Sequence, residues 1–188
     1  LNRVEPTEVV DGHAHTDVFG NLTCACHGYS VLATGRIGEE SRTVLFDVGP
    51  YSDIWLSNVE RLGLDGGHLT DGSRNIRNAR KIVGDDAIVG AFCATSRHDG
   101  MTAGEAGADY VAFGPVAPTP LGDGSFADAA LFSWWSEMIE VPVVAEGALT
   151  VELVDKLAPM TDFFGIGSEI WGAVDPLAAL QNLTAALR

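Results

Sequence analysis

From residue 65 onward, short apolar runs alternate with segments of helical spacing. The runs Gly67–Thr70, Ala87–Phe92, Tyr110–Phe113, Val141–Ala145 and Phe163–Gly167 predict strands. Between them, five segments predict helices. Asn75–Val83 follows the turn Asp71-Gly72-Ser73, and Thr102–Ala106 follows a Ser- and Asp-rich entry. Asp128–Met138 carries Leu131, Trp134, Trp135 and Met138 at helical spacing. Thr150–Leu157 opens on an N-cap threonine with Glu152 in its first turn. Pro176–Leu187 has Asp175 as N-cap and proline at the first helical position. Short strands alternating with helices imply a parallel sheet with right-handed crossovers. The apolar character of Ala87–Phe92 and Val141–Ala145 suits strands covered on both faces.

The first 64 residues read differently. Ser30–Thr34 and Thr43–Asp47 are β-branched runs separated by the polar stretch Gly35–Ser41, which predicts a hairpin. After Gly49-Pro50, Ser52 or Asp53 caps a predicted helix, Ile54–Leu62, that ends at Gly63. Asn2–His27 shows no periodicity. The domain reading is therefore 1–64 as an N-terminal segment and 65–188 as a partial β/α barrel. The unit Thr43–Leu62 reads as a stand-in for a β/α unit beside Gly67–Thr70, which requires the two strands to lie parallel in one sheet.

Two strand ends carry candidate chemistry. Val143-Val144-Ala145-Glu146-Gly147-Ala148 runs into a turn, as does Phe164-Gly165-Ile166-Gly167-Ser168. Glycine there allows close backbone approach, and free N–H groups can meet an anion. Glycines at strand ends also serve as plain turn residues. Glu146 has two readings, a contact to a ligand cation or a solvated charge. Trp134 and Trp135 read as packing residues, and Cys93 with His98 lacks an orienting carboxylate or amide.

The 188 residues carry a net charge of −15, which argues against nucleic acid and anionic lipid as partners. No apolar run approaches a membrane span, and no secretory signal is visible. The three cysteines are too few for a disulfide framework, so a cytoplasmic setting is expected. The chain opens on Leu1 rather than Met, which reads as processing or as a piece of a longer chain. His13, His15, Asp17, Cys24, Cys26 and His27 contain enough donors for zinc, but their spacing matches no zinc-finger pattern, and residues of a leader segment are the competing reading.

Several stretches occur in the order found in thiamine-phosphate synthases. They are Gly67-His68-Leu69, Arg80–Gly84, Asp86–Gly90, Gly107–Val116 with Pro118-Thr119, Val141–Ala145 and Gly167–Ile170. The run from Gly107 to Thr119 is the most specific, since that family carries Gly-Ala-Asp-Tyr-x-x-x-Gly-Pro-x-x-Pro-Thr on its sixth strand. About two-thirds of the chain, 65–188, resembles this family. The resemblance implies a fragment of a TIM barrel, strands three or four to eight, preceded by the hairpin. It also implies a transferase of thiamine biosynthesis, joining hydroxymethylpyrimidine pyrophosphate to a thiazole phosphate and releasing pyrophosphate with Mg²⁺. On this analogy Gly147, Ala148, Gly167 and Ser168 hold the phosphate of a small ligand, and Thr119 lines the site.

The departures imply degenerate activity. Leu121 and Gly122 stand where the family has Thr and then a Lys for pyrophosphate. Ser73 replaces the metal carboxylate, leaving Asp71 as its substitute. Phe92 stands at the strand-five serine position, and Ala148 replaces a second glycine. The first two β/α units, with the Arg and Lys that meet pyrophosphate and an Asn-Asp pair, have no counterpart. Without those cations the charge developing on the leaving group lacks stabilisation. The N-terminal third, His27–Thr34, Thr43–Pro50 and Asn58–Asp65, resembles the opening of metallo-β-lactamase-fold hydrolases without their His-x-His-x-Asp-His motif. The chain thus reads as a mosaic with a junction near 64–67. The alternatives are a non-catalytic barrel binding a phosphorylated ligand, a chimera without evolved activity and, most distant, a metallohydrolase fragment. Apolar edges of a partial barrel imply coverage by the N-terminal strands or pairing in a homodimer.

Overall fold

The computed structural model describes residues 15–16, 22–23, 30–37, 39–47, 65–119 and 123–187. The chain divides into two compact units, Leu1–Ala91 and Phe92–Arg188.

In the first unit, β1 (His15–Thr16) and β2 (Leu22–Thr23) form a short antiparallel pair in a stretch where the sequence shows no periodicity. The hairpin strands β3 (Ser30–Ile37) and β4 (Glu40–Asp47) pair antiparallel in full register from Ser30↔Asp47 to Ile37↔Glu40. Both strands are longer than the sequence suggests. Gly35, Arg36 and Ile37 pair with Arg42, Ser41 and Glu40, so the polar stretch read as a turn is mostly ladder. Strand β4 is parallel to β5 (Gly66–Leu69), with Val44↔Gly66 and Phe46↔His68, as the stand-in reading requires. Asp65 fixes that register twice. Its carboxylate accepts the Thr43 N–H at 2.7 Å, and its own N–H donates to the Thr43 carbonyl at 2.9 Å. Strand β5 pairs parallel with β6 (Ile88–Phe92) through the crossover helix α1 (Ile76–Val83), which buries Ile76 and Ala79. The predicted helix 54–62 lies outside the described residues.

In the second unit, β7 (Tyr110–Phe113), β8 (Val143–Glu146) and β9 (Phe163–Gly165) run parallel in that order. Four helices have side-chain N-caps, each bonding the N–H three residues on. Ser96 caps α2 (Arg97–Glu105), Asp128 caps α3 (Ala129–Met138), Thr150 caps α4 (Val151–Leu157), and Asp175 caps the C-terminal helix Pro176–Ala185. A single turn, α5 (Ser168–Trp171), precedes that last helix, α6, and has no signal in the apolar pattern.

Two expectations are corrected. Helix α2 starts five residues before Thr102. Ser96 and Asp99 form an N-terminal cap, and Gly100 is buried against Phe113 and Trp135, where packing outweighs its poor helix propensity. Strand β8 begins at Val143, not Val141, because the Val141 carbonyl accepts the Trp135 indole N–H at 2.8 Å. The core of this unit is aromatic. Phe113 meets Phe132 and Trp135 edge to face, with centroids 6.1 and 5.0 Å apart. Trp135 is buried as its spacing implies, whereas Trp134 is half-buried under the Arg97 guanidinium at 4.7 Å.

Candidate active site at the ends of β8 and β9

Strand register decides what the two glycine-bearing turns can share. The pairs Val144↔Phe163, Ala145↔Phe164 and Glu146↔Gly165 place the exits of β8 and β9 side by side. The chain after β8 then turns through Gly147 at φ +74° and Ala148 at φ +59°. Glycine takes that backbone conformation freely, and alanine does not. The exit of β7 is tied to the same place, since the Val116 N–H lies 2.9 Å from the Gly147 carbonyl and 3.2 Å from that of Glu146. Thr119, three residues further along this loop, is half-buried. Val116 is thus tied to the turn at Gly147, while Leu121 and Gly122 lie outside the described residues.

At the β9 exit, the Gly167 N–H already has an acceptor. It donates to Glu169 Oε1 at 2.9 Å. Glu169 sits in the first turn of α5 and reaches back over it, as an acid early in a helix can. Ser168 is exposed. The Glu146 side chain lies across Gly165, where an added methyl group would stand 3.0 Å from the Glu146 Cβ and 3.3 Å from its Oε2. Burial, reinforced by the negative charge of Glu169, raises the Glu146 carboxyl to about 7. Burial also raises the Tyr110 phenol, with further contributions from Glu146 and Asp109. The exits of β8 and β9 thus bring two carboxylates, Glu146 and Glu169, to the glycine-bearing turns. The sequence reading leaves Glu146 open and does not single out Glu169, although an acid two residues after a strand-end glycine is a visible capping signal.

The other candidates are placed as follows. Asp71, in the first unit, accepts the Asn75 amide at 2.7 Å. Among the described residues no group of three or more His, Cys, Asp or Glu is arranged to hold a metal. His13, Cys24, Cys26 and His27 lie outside the described residues, and of His15 only the backbone of β1 is described. Cys93 is buried, and burial together with Asp99 pushes its thiol up to about 12, which keeps it protonated and unreactive. His68 is buried in β5, and burial pushes it down to about 4, so it is neutral at physiological pH. Among the described residues no helix is long and apolar enough to cross a membrane.

The chain resembles known proteins in sequence and in fold. The sequence pattern of the family described as thiamine monophosphate synthase matches residues 52–166, reaching upstream of the junction near 64–67. A thiamine-phosphate synthase of Rhodospirillum centenum is 40% identical over 152 residues, covering 79% of this chain and 72% of the relative. One from Erythrobacter litoralis is 39% identical over 127 residues, with 65% of this chain and 59% of the relative covered. The chain therefore spans between about three-fifths and three-quarters of these relatives. The solved thiamine phosphate pyrophosphorylase of Pyrococcus furiosus superposes with a TM-score of 0.60 at 24% identity, covering 70% of this chain and 63% of that one. A 3-hexulose-6-phosphate synthase gives 0.56 at 20% identity, with 72% and 68% covered. These two likenesses carry the fold, a β/α-barrel type. With the family pattern spanning more than half of its residues, this chain belongs to the thiamine monophosphate synthase family.

Proposed function

We propose that this chain is a thiamine-phosphate-synthase-like protein that binds a small phosphorylated thiazole at the exits of β8 and β9, with degenerate transferase activity. Gly147, Ala148, Gly167 and Ser168 hold the phosphate in this reading, and Thr119 lines the ligand. The supporting observation is the register that sets Glu146, just before Gly147, beside Gly165, in a chain 40% identical to a thiamine-phosphate synthase. The reaction proposed is that of the family, joining hydroxymethylpyrimidine pyrophosphate to thiazole phosphate with release of pyrophosphate. Mg²⁺ is the metal in this reading, a cation commonly held by one or two carboxylates together with substrate phosphates. Low turnover is expected in this reading because Leu121 and Gly122 stand where the family has Thr and the Lys that meets pyrophosphate.

A non-catalytic phosphate-ligand binder is the second reading, favoured by Leu121 and Gly122 at the places where the family has Thr and the Lys that meets pyrophosphate. A chimera without evolved activity is the third. The reading includes a cytoplasmic setting. It also keeps 1–64 as a separate N-terminal segment. Pairing of two copies is supported by exposed apolar residues, Phe163 at the start of β9 at 60% and Trp171 on α5 at 72% of full exposure.

The test is an assay with both phosphorylated precursors and Mg²⁺, run beside a thermal melt with thiazole phosphate. Thiazole phosphate should raise the melting temperature. Thiamine phosphate should form at less than about a hundredth of a complete synthase's rate, the scale of losing one charge-stabilising group. A full rate removes the degenerate reading, protection without any turnover selects the second reading, and no response to either ligand selects the third.

A further inference from the structure

Glu169 holds a position that a ligand oxygen would otherwise take. A backbone N–H has one hydrogen to give, and that of Gly167 goes to Glu169 Oε1 at 2.9 Å. The neighbouring Ile170 and Trp171 N–H groups both donate to the Gly167 carbonyl, at 3.0 and 3.1 Å. Gly167 is therefore where an incoming anion and the protein's own carboxylate compete. The second carboxylate, Glu146, lies across Gly165, two residues from Gly167, and its charge adds to that of Glu169. An anion entering here meets like charge as well as an occupied donor.

We propose that Glu169 is a specificity-determining residue: its carboxylate occupies the Gly167 amide, so a phosphorylated ligand gains that donor only by displacing Glu169. The inference rests on the proposed phosphate reading of the β8 and β9 exits. The displacement is local. Glu169 stands on a single helical turn between Gly167 and Gly172, and rotation of its side chain releases the amide without moving a strand. A ligand whose anchoring group is less charged than a phosphate dianion meets a smaller penalty. Glu169 thus biases the site against dianions.

The experiment uses the full chain labelled with ¹⁵N, titrated with inorganic phosphate near pH 8, as wild type, Glu169→Ala and Glu169→Gln. The alanine variant should bind phosphate roughly tenfold more tightly, the scale of one charge-assisted hydrogen bond and one like charge removed. Its Gly167 amide resonance should move with phosphate at correspondingly lower concentration. The glutamine variant keeps an acceptor without the charge and should fall between the two. It also carries the test if the alanine variant does not fold. Equal affinity in all three proteins, with the Gly167 resonance responding in each, overturns the role of Glu169 and leaves the proposed site standing. Phosphate that moves other resonances but never Gly167, or that does not bind at all, removes the proposed site and this inference together.

Discussion

Ala148 adopts φ +59°, a conformation that crowds its Cβ against the backbone. The preceding Gly147, at φ +74°, has no such penalty. Ala148→Gly should therefore stabilise the fold by about 1 kcal/mol. That corresponds to a rise of about 2–4 °C in melting temperature for a chain of this size, measurable by calorimetry. A fall would show that the alanine methyl makes packing contacts worth more than its strain. Glu146 makes a prediction of opposite character. Burial and Glu169 raise its carboxyl from 4.5 to about 7 in the folded state. The folded protein then binds more protons than the unfolded chain between those values, so this group's contribution to stability falls as pH rises from about 4.5 to 7. The groups acting with it are Glu169 on α5 and Tyr110 on β7. Urea unfolding at pH 5 and pH 8 should show a smaller loss of stability in Glu146→Gln than in wild type. Identical pH dependence in both proteins would contradict the buried placement of this carboxylate.

The elements owe their limits to a few side chains. Helix ends at Asp128, Thr150 and Asp175 are readable because each cap acts locally, on an N–H three residues ahead. The start of α2 is not, because Arg97-His98-Asp99-Gly100 is a poor helical sequence taken alone. What holds it is the packing of Gly100 under an aromatic pair. A methyl added there would stand 2.7 Å from Trp135 Cζ3 and 2.8 Å from Phe113 Cζ. Gly100→Ala, which raises helix propensity, should nevertheless destabilise the protein by about 1–3 kcal/mol through overpacking. Chemical denaturation checks the sign, and a stabilised variant would show that the aromatic pair yields easily. The start of β8 has the same origin, an indole hydrogen bond that withdraws the Val141 carbonyl from the ladder. One local device recurs in both units, an aspartate just before a strand. Asp162 accepts the Val143 N–H at 2.8 Å, as Asp65 accepts that of Thr43. Both precede the strand whose neighbour they fix, which explains why aspartate stands at these turns.

For the molecule as a whole, the governing number is the net charge of −15. It opposes the approach of any phosphorylated ligand, and salt weakens that opposition by shortening the reach of the field. If the β8 and β9 exits take a thiazole phosphate as proposed, its affinity should therefore rise when ionic strength goes from about 0.02 to 0.2 M, the reverse of binding to a basic site. Calorimetric titration at the two salt levels decides it. An affinity that falls with salt would place a local cation at the ligand and undercut the account of Glu146 and Glu169 as its neighbours. The family pattern beginning at residue 52 likewise bears on the chain as a whole, because it draws part of the segment read as foreign into the synthase-like portion.

Periodicity, caps and glycine placement were enough to read the alternation of strands and helices and the turn after β8, and the family came from its resemblance in contiguous motif runs. Each of these is written within a few neighbouring residues, and the strongest, the run Gly107–Thr119, is contiguous. The encounter of Glu146 with Gly165, and the seating of Glu169 on the Gly167 amide, follow from strand register and from how one turn of helix folds back. Charge on a residue is visible in a list of letters, but which donor it occupies depends on the path of the backbone around it. For that reason the glycine-bearing turns could be anticipated from sequence, and the carboxylates beside them could not.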